Sequence, residues 1–203
     1  MDKRLIELRA AAKADGEPVL RDRSFDLFLS TVERRSPKSI LEIGVNRGIS
    51  GIAALLACDT ARLTGIEIDE DKANLAKENY RAFGVENRTK IFLGDASEIV
   101  PLLSGKYDLI FLDGPKGHYA EYADALIAVL NVGGILFADN VLYRGYVGKD
   151  KIAPHKHATI KRSMENFLDR ITNDDSLKTA VYDIEDGVSI TEKLYDRTVS
   201  PRG

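Results

Sequence analysis

The sequence has 203 residues, of which 44% are hydrophobic and 30% are charged, and its formal net charge is −3 at pH 7. This balance predicts one domain with a hydrophobic core, and the small net charge gives no global sign of a nucleic-acid-binding protein. Cys58 is the single cysteine, which excludes an internal disulfide and a cysteine-based metal site. No apolar run approaches the ~20 residues of a membrane span and the N-terminus is charged, so we expect a cytoplasmic protein with no membrane partner.

The first 36 residues predict two helices before the first strand. Residues 3–14 have the amphipathic pattern of a helix. Residues 17–20 are expected to be extended, because Pro18 disfavours helical backbone at the residue before it. Ser24 is placed to cap a second helix over residues 25–34. We expect residues 1–36 to form a layer or lid on a single domain (1–203), with a core at 37–193 and a polar, frayed tail at 194–203.

Strand and helix patterns alternate from residue 39 onward. Strands are expected at 39–43, 62–67, 89–93, 107–112 and 134–138, and helices at 49–57, 70–83, 96–103, 119–130 and 157–172. Two further strand-like runs, 177–184 and 188–191, flank an Asp-Gly pair that is typical of hairpins. The predicted fold is α/β: a Rossmann-like, doubly wound, mostly parallel seven-stranded sheet with an antiparallel C-terminal hairpin and helices on both faces.

A glycine-containing turn joins the first strand to the first core helix. Gly44 and Gly48 lie in this turn, and a strand, a glycine turn and a helix start form the nucleotide-binding corner of a doubly wound sheet. An ordinary tight strand–helix turn has the same outline. A dinucleotide oxidoreductase would carry a third glycine where Asn46 stands, which argues against that class.

Acidic residues lie at or just after the ends of three successive strands. They are Glu42, Glu67 and Asp95, and parallel strands bring such ends to one crevice. An acid at the position of Glu67 can accept hydrogen bonds from ribose hydroxyls, and Asp95 can accept one from an adenine amino group. The alternative for Asp95 is a helix N-cap, and Asp69 is expected to cap the helix after the second strand.

Polar residues also follow the fourth and fifth strands. Asp113 follows the fourth strand, with Lys116 three residues later, and Asp139-Asn140 follows the fifth. Two carboxylates and an amide oxygen suit Mg²⁺, and Mn²⁺ or Ca²⁺ accept the same ligands. The alternative is that Asp113 bonds backbone amides and that Asp139-Asn140 only makes a turn. We favour the metal site.

These motifs resemble those of a known family. The run Glu42-Ile-Gly-x-x-x-Gly-x-Ser50, followed by Glu67 and Gly94-Asp95-Ala96, resembles the class I S-adenosylmethionine-dependent methyltransferases. Asp113-Gly-Pro-Lys116 and Asp139-Asn140-Val141 resemble the metal-dependent O-methyltransferases of family 3, the group of catechol and caffeoyl-CoA O-methyltransferases. The resemblance extends from about residue 5 to residue 193, and relatives of this kind imply a homodimer.

The resemblance also implies roles for individual residues. The implied cofactor contacts are Val19, Glu42, Gly44, Asn46, Gly48, Ser50, Glu67, Asp95, Ala96 and Asp113. Glu42 and Gly44 would lie beside the methionine part of the cofactor, and Ser50 would bond its carboxylate. Asp113 and Lys116 would be catalytic: the metal lowers the pKa of a substrate hydroxyl, and Lys116 bonds the hydroxyl or accepts its proton. The alternative for Lys116 is a solvated surface lysine.

The closest resemblance is to bacterial tRNA 5-hydroxyuridine methyltransferases. It includes Pro18-Val19, the run from Asp139 to Gly145, and Glu185-Asp186-Gly187-Val188-Ser189-Ile190. It implies that the acceptor is 5-hydroxyuridine at the tRNA wobble position. The chain departs from that group at Gly114-Pro115 and in the turn after the first strand, where Arg47 is a charge without an expected partner.

The segment from residue 144 to residue 162 favours the same acceptor. It contains six lysines and arginines and one aspartate, and a basic stretch next to the reactive centre suits an RNA backbone. Arg144, Tyr143, Lys149 and Lys151 are the expected substrate contacts. The alternatives are a solvated loop and helix face, a small catechol-like or other phenolic acceptor, and a non-catalytic protein that binds S-adenosylmethionine.

Overall fold

A computed structural model describes residues 1–148 and 153–197. In these residues a sheet of seven strands has helices on both faces. The strands are β1 (Ser39–Ile43), β2 (Arg62–Glu67), β3 (Thr89–Leu93), β4 (Tyr107–Leu112), β5 (Leu130–Asp139), β6 (Leu177–Tyr182) and β7 (Val188–Lys193). The helices are α1 (Lys3–Ala14), α2 (Asp22–Arg35), α3 (Ile49–Ala57), α4 (Glu70–Ala82), α5 (Ala96–Ile99), α6 (Tyr119–Val129) and α7 (Ala158–Thr172).

The strand order is β3-β2-β1-β4-β5-β7-β6. Strands β1 to β5 are parallel, whereas β7 is antiparallel to both β5 and β6. The predicted sheet and its C-terminal hairpin are therefore confirmed. The chain leaves β1 toward β2 on one side and later returns to pair β4 on the other, so the order reverses at β1. Such a reversal opens a crevice at the carboxyl ends of the strands.

Two apolar layers cover the sheet. On one face α1, α2 and α3 pack together, and the ring centroid of Phe28 in α2 lies 4.7 Å from that of Phe111 and 5.4 Å from that of Phe137. On the other face α6 and α7 pack together, with Tyr119 edge-on to Phe167. The N-terminal helices thus belong to the core layer, because their apolar side chains contact the sheet directly.

Two details at the N-terminal helices and the C-terminus differ from the expectations. Helix α2 begins at Asp22, so Ser24 lies inside the helix and is not the N-cap. The N–H and the hydroxyl of Ser24 donate to Glu185 Oε2 at 3.0 and 2.6 Å. The tail is not frayed at its start, since Asp196 pairs with Lys193 at 2.7 Å and Arg197 pairs with Asp174 at 2.6 Å. The residues after 197 lie outside the described part of the chain.

Within residues 37–193, two boundaries differ from the predicted ones by four residues, and the others agree to within two residues. Strand β5 begins at Leu130, four residues before the predicted start, because Tyr107 pairs with Leu130 across an irregularity in the register. Helix α5 ends at Ile99, and a 3-10 turn containing Pro101 follows, since proline has no N–H to continue the helix. No helix in the described ranges is both long and apolar enough to cross a membrane.

Candidate active site

Gly44 brings the ends of three strands together at the crevice. It follows β1 with φ 86°, and a Cβ atom there would lie 2.5 Å from the backbone oxygen of Asp113, so glycine is required for this approach. The Gly44 N–H donates to Ile66 O at 3.0 Å, and the Asp113 N–H donates to Ile43 O at 3.0 Å. The ends of β1, β2 and β4 are therefore fixed beside one another.

Two cavities adjoin this point, and Gly44 lines both. The first is lined by Pro18, Val19, Leu20, Gly44, Val45, Asn46, Arg47, Ile49, Ser50 and Asp113. The second is lined by Ile43, Gly44, Ile66, Glu67, Ile68, Gly94, Asp95, Ala96, Pro115 and Tyr122. The structure thus brings together eight of the ten predicted cofactor residues along a continuous crevice. Glu42 and Gly48 do not line it; Gly48 immediately precedes α3.

The Glu67 carboxylate, at the end of β2, accepts hydrogen bonds from the turn that follows β1 and from the residues that follow β2. Its Oε2 accepts from the Asn46 N–H at 2.8 Å, and its Oε1 accepts from the N–H groups of Ile68 and Asp69 at 2.9 and 3.0 Å. A carboxylate offers about four acceptor sites, so one remains for a ligand hydroxyl. The residue predicted to hold the ribose is therefore also a backbone bridge between the first and second strand ends.

Asp95 is the N-cap of α5, the alternative that its sequence position had left open. Its Oδ1 accepts from the N–H and the hydroxyl of Ser97 at 2.7 and 2.8 Å, and these bonds lower the pKa of Asp95. It still lines the second cavity, next to Tyr122, whose hydroxyl also bonds it. Asp69 is confirmed as the cap of α4, because it accepts from the N–H groups of Asp71 and Lys72.

Glu42 lies beneath the glycine turn instead of in the crevice. It is 1% exposed, its Oε2 accepts from the Tyr80 hydroxyl at 3.5 Å, and its Oε1 has no hydrogen-bond partner in the described residues. Burial, and then repulsion by Asp113 and Glu67, raises the pKa of Glu42 to about 8. Strand alternation points Glu42 to the same face as Ile40, toward α3 and α4. Its predicted contact with the methionine part of the cofactor stays a prediction.

Arg47 ties the glycine turn to the N-terminal segment. Its guanidinium lies 2.7 Å from Asp15 Oδ2 and 3.9 Å from Glu17 Oε1, and the neighbouring Asn46 side chain donates to Pro18 O at 3.0 Å. We call residues 15–20 the strap. Because Pro18, Val19 and Leu20 form a wall of the first cavity, these contacts hold that wall over the glycine turn.

The three candidate metal ligands lie at the adjacent ends of β4 and β5. Asp139 is 4% exposed, and its Oδ1 has no hydrogen-bond partner among residues 1–148 and 153–197. Burial raises the pKa of Asp139, and repulsion by Asp113 adds to the shift. Burial also raises the pKa of Asp113, against the opposing effect of Lys116, whose Nζ lies 3.5 Å from Asp113 Oδ1.

This electrostatic situation suits a cation. The buried carboxylate of Asp139 and the partly exposed carboxylate of Asp113, whose side chain is 22% exposed, repel each other when both are ionised, and a divalent ion would remove that cost. The described residues contain no cluster of three or more His, Cys, Asp or Glu side chains with metal-ligand geometry. The candidate metal ligands remain the carboxylates of Asp113 and Asp139 and the side-chain amide of Asn140. The backbone of Asn140 has a positive φ of 60°.

Tyr119 joins the two strand ends. Its hydroxyl donates to Leu112 O at 3.1 Å and to Asp139 O at 3.2 Å, and the residue is 0% exposed. Burial, with a smaller effect from Asp113 and Asp139, raises the pKa of Tyr119 well above its ordinary value. The hydroxyl therefore stays protonated and remains a donor.

The loop after β5 is ordered by aromatic contacts. Tyr143 is 8% exposed and its hydroxyl lies 2.9 Å from His157 Nδ1, while Tyr146 stacks on the His157 ring. The Tyr143 ring thus packs within the protein, which leaves little of it exposed for the predicted contact with a substrate. Arg144 has a positive φ of 55° beside it. Lys149 and Lys151 lie outside the described residues.

The turn of the C-terminal hairpin supports this loop. Gly187 O accepts from the Val141 N–H at 3.0 Å, and Asp186 O accepts from the Leu142 N–H at 2.9 Å. Gly187 has φ 85°, and a Cβ atom there would overlap Leu142. On its other side, the turn contacts the start of α2 through Glu185. One turn therefore joins the N-terminal layer to the loop that follows the candidate metal ligands.

A family model described as O-methyltransferase matches residues 6–194. The chain belongs to this O-methyltransferase family. Tricin synthase 2 from Oryza sativa subsp. japonica is 28% identical over 77% of the chain and 57% of that protein. The caffeoyl-CoA O-methyltransferase of Stellaria longipes is 32% identical over 70% of the chain and 63% of that enzyme. The matches thus span less than two thirds of the length of either relative.

Solved structures show the same fold for this O-methyltransferase family member. The SAH-bound methyltransferase PaMTH1 from Podospora anserina has a TM-score of 0.82 at 25% identity, over 95% of this chain and 88% of that one. A candidate caffeoyl-CoA O-methyltransferase from Staphylococcus aureus has a TM-score of 0.86 at 25% identity, over 95% and 93%. The similarity therefore covers the sheet, its hairpin and the N-terminal helices.

Sequence reasoning missed three features of this family member's site. Tyr122 and Tyr119 belong to a helical apolar pattern, so their spacing indicates core residues and hides the hydrogen bonds of their hydroxyls. The partners of Arg47 are Asp15 and Glu17, about thirty residues earlier in the chain. The sequence signal for this contact is the acidic pair Asp15 and Glu17 just before Pro18, which is opposite in charge to Arg47.

Proposed function

We propose that the chain is an S-adenosylmethionine-dependent, divalent-metal-dependent O-methyltransferase that transfers a methyl group to an activated hydroxyl. Support for the cofactor comes from the crevice of eight predicted residues and from the SAH-bound neighbour PaMTH1. The observation that carries the metal requirement is the buried Asp139 Oδ1 beside Asp113, which has no hydrogen-bond partner in the part of the chain that the structure describes. An acid in that position costs stability unless a cation or a proton compensates it.

The residues fit the roles that this reaction needs. Asp113, Asp139 and Asn140 would hold the ion through oxygen atoms, and the ion, when bound, would lower the pKa of a hydroxyl in contact with it. Lys116 Nζ, beside Asp113, would bond the acceptor hydroxyl, and only in its uncharged form would it take the hydroxyl proton. The crevice would orient the methyl donor toward that oxygen, and such positioning can supply ~7–11 kcal/mol of the barrier.

Methyl transfer from isotopically labelled S-adenosylmethionine tests the metal requirement. We expect Asp139→Asn to abolish transfer in saturating Mg²⁺ while binding of S-adenosylmethionine, measured by calorimetry, is retained. Asp175→Asn, a substitution at an exposed carboxylate between α7 and β6, is the matched control and should leave transfer unchanged. Full activity of Asp139→Asn, or of the wild type in a chelator, would show that the chemistry needs no metal.

For the acceptor we propose 5-hydroxyuridine at the tRNA wobble position. The support is the sequence resemblance and the basic residues that follow the metal motif, among them Arg144, Lys156 and Arg162. Lys156 and Arg162 are exposed at the N-terminal end of α7. The second candidate is a small phenolic acceptor, favoured by the names of the relatives tricin synthase 2 and caffeoyl-CoA O-methyltransferase.

Two measurements separate these acceptors. In the tRNA nucleosides of a deletion strain, we expect 5-hydroxyuridine to accumulate; unchanged nucleosides would favour the phenolic acceptor. In a binding assay, Arg162→Gln should weaken tRNA binding and lower the slope of log K against log salt by about one, as for a lost phosphate contact. Lys178→Gln on β6 removes the same charge elsewhere and should leave the slope unchanged. A Kd for tRNA that does not respond to salt would refute the RNA proposal.

The resemblance also leads us to propose a homodimer. Analytical ultracentrifugation of the full chain tests it directly. A sedimentation coefficient expected for a single 22.4 kDa chain at micromolar concentration would contradict the dimer.

A further inference from the structure

The Tyr119 hydroxyl forms hydrogen bonds that packing of the Tyr119 ring in the core does not require. It is the first residue of α6, it is fully buried, and its hydroxyl is shared between two backbone oxygens, Leu112 O at 3.1 Å and Asp139 O at 3.2 Å. A phenylalanine would fill the same volume. The hydroxyl therefore serves the two carbonyl groups, and the positions of those groups indicate its role.

The two carbonyls belong to neighbouring strands at the point where their pairing ends. The β4–β5 ladder ends with Leu112 beside Ala138, one residue before Asp113 on β4 and one before Asp139 on β5. Beyond this pair, the Tyr119 hydroxyl provides a connection between the two strand ends. Buried carbonyl groups need a donor, and the Tyr119 hydroxyl shares its one hydrogen between Leu112 O and Asp139 O.

The orientation of the Tyr119 ring is itself fixed. Phe167 of α7 packs against it with centroids 5.4 Å apart and an interplanar angle of 73°. The next residue, Ala120, donates its N–H to Ser163 Oγ of the same helix at 3.4 Å. Helix α7 thus holds the start of α6, and the start of α6 holds the two strand ends.

We propose that Tyr119 is a positioning residue that sets the separation of the strand ends carrying Asp113 and Asp139. The inference rests on the proposed function, since the purpose of that separation is to present two carboxylates to one divalent ion. Tyr119 does not touch the ion or the reacting atoms. It acts through the backbone carbonyl groups of Leu112, the residue before Asp113, and of Asp139 itself.

Hydrogen exchange in the metal-free protein tests the connection itself. We expect Tyr119→Phe to speed amide exchange in peptides that cover residues 112–114 and 139–141, with unchanged exchange in β1 and β2. Tyr107→Phe is the matched control, because it removes one hydroxyl from a buried tyrosine at the opposite end of β4. Equal exchange at both strand ends in Tyr119→Phe and the wild type would overturn the proposal, whatever the metal does.

Binding of Mn²⁺, followed by the loss of the free-ion signal in electron paramagnetic resonance, tests the consequence for the ligands. We expect Tyr119→Phe to weaken Mn²⁺ binding by about tenfold or more, the range seen when a group behind a metal ligand is removed. Tyr107→Phe should bind Mn²⁺ like the wild type. Unchanged affinity in Tyr119→Phe would refute the positioning role. A wild type that binds no Mn²⁺ would instead refute the metal part of the proposed function, and the exchange measurement would then decide the connection.

Discussion

The buried Glu42 predicts an unusual dependence of stability on pH. The pKa of Glu42 is raised from 4.5 to about 8, chiefly by burial, so the folded chain binds this proton more tightly than the unfolded chain does. The stabilisation is fully present below about pH 4.5 and is lost as pH rises through about 8. We expect Glu42→Gln, which keeps an amide oxygen near the Tyr80 hydroxyl but does not titrate, to remove this dependence.

The size of the effect follows from the shift. At about 1.4 kcal/mol per pKa unit, a shift from 4.5 to about 8 corresponds to about 5 kcal/mol between the two ends of the range. The whole stability of a domain is ~5–15 kcal/mol, so the loss is large enough to measure even if relaxation halves it. The pKa of Asp139 is raised as well, so Asp139 adds its own dependence of stability on pH to that of the wild type. The contribution of Glu42 is therefore the difference between the wild type and Glu42→Gln.

Urea unfolding at pH 5, 6, 7 and 8, on protein free of metal and S-adenosylmethionine, is the appropriate assay. We expect the free energy of unfolding of the wild type to fall more steeply with pH than that of Glu42→Gln, by a few kcal/mol over this range. Glu78→Gln, at an exposed position of α4, is the matched control and should follow the wild type. Parallel curves for the wild type and Glu42→Gln would refute the argument from burial.

Three further substitutions test the turn, the strap and the hairpin. Arg47→Met should weaken S-adenosylmethionine binding several-fold and reduce its salt dependence, because ion pairs such as Arg47–Asp15 contribute ~0.2–1 kcal/mol when partly exposed. A calorimetric Kd with the same value and the same salt dependence in Arg47→Met and the wild type would contradict this. Gly44→Ala should lower the melting temperature and abolish cofactor binding, since its Cβ meets a backbone oxygen; an unchanged melting temperature would contradict this. Gly187→Ala should lower the free energy of unfolding, measured in urea, by ~1–3 kcal/mol, because Gly187 has a φ of 85° and a Cβ atom there would overlap Leu142. An unchanged free energy of unfolding would show that the hairpin turn adapts freely.

The sheet could be predicted because its strands are short apolar runs between clear turn signals. The bounds of β1, β2, β3 and β4 were predicted to the residue. The ends of those strands then placed Glu67, Asp95, Asp113 and Asp139 along one edge, since the carboxyl ends of parallel strands meet there. Local sequence therefore predicted this edge of the crevice, whereas the individual cofactor contacts were implied by the family resemblance.

The remaining features depend on contacts between distant segments. Ser24 has the composition of an N-cap, but Glu185, far along the chain, supplies acceptors for the N–H groups of Arg23 and Ser24. The direction of Glu42 could have been predicted, since it shares its strand face with Ile40. The hydroxyl of Tyr119 could not, because a helical apolar pattern does not show where a tyrosine oxygen points. The predicted domain organisation and the substrate contacts of Arg144, Lys149 and Lys151 stay predictions.

The hairpin turn at Glu185, Asp186 and Gly187 has a consequence for synthesis of the chain. It holds the start of α2 on one side and the loop after Asn140 on the other, across more than a hundred and fifty residues of sequence in the first case. Contacts of such separation form late, because the intervening chain must be made and closed first. The crevice around Gly44 can form while translation continues. We therefore expect the loop after Asn140 to be fixed only once the hairpin has been made, so that the crevice around Gly44 forms before the side that would hold the acceptor.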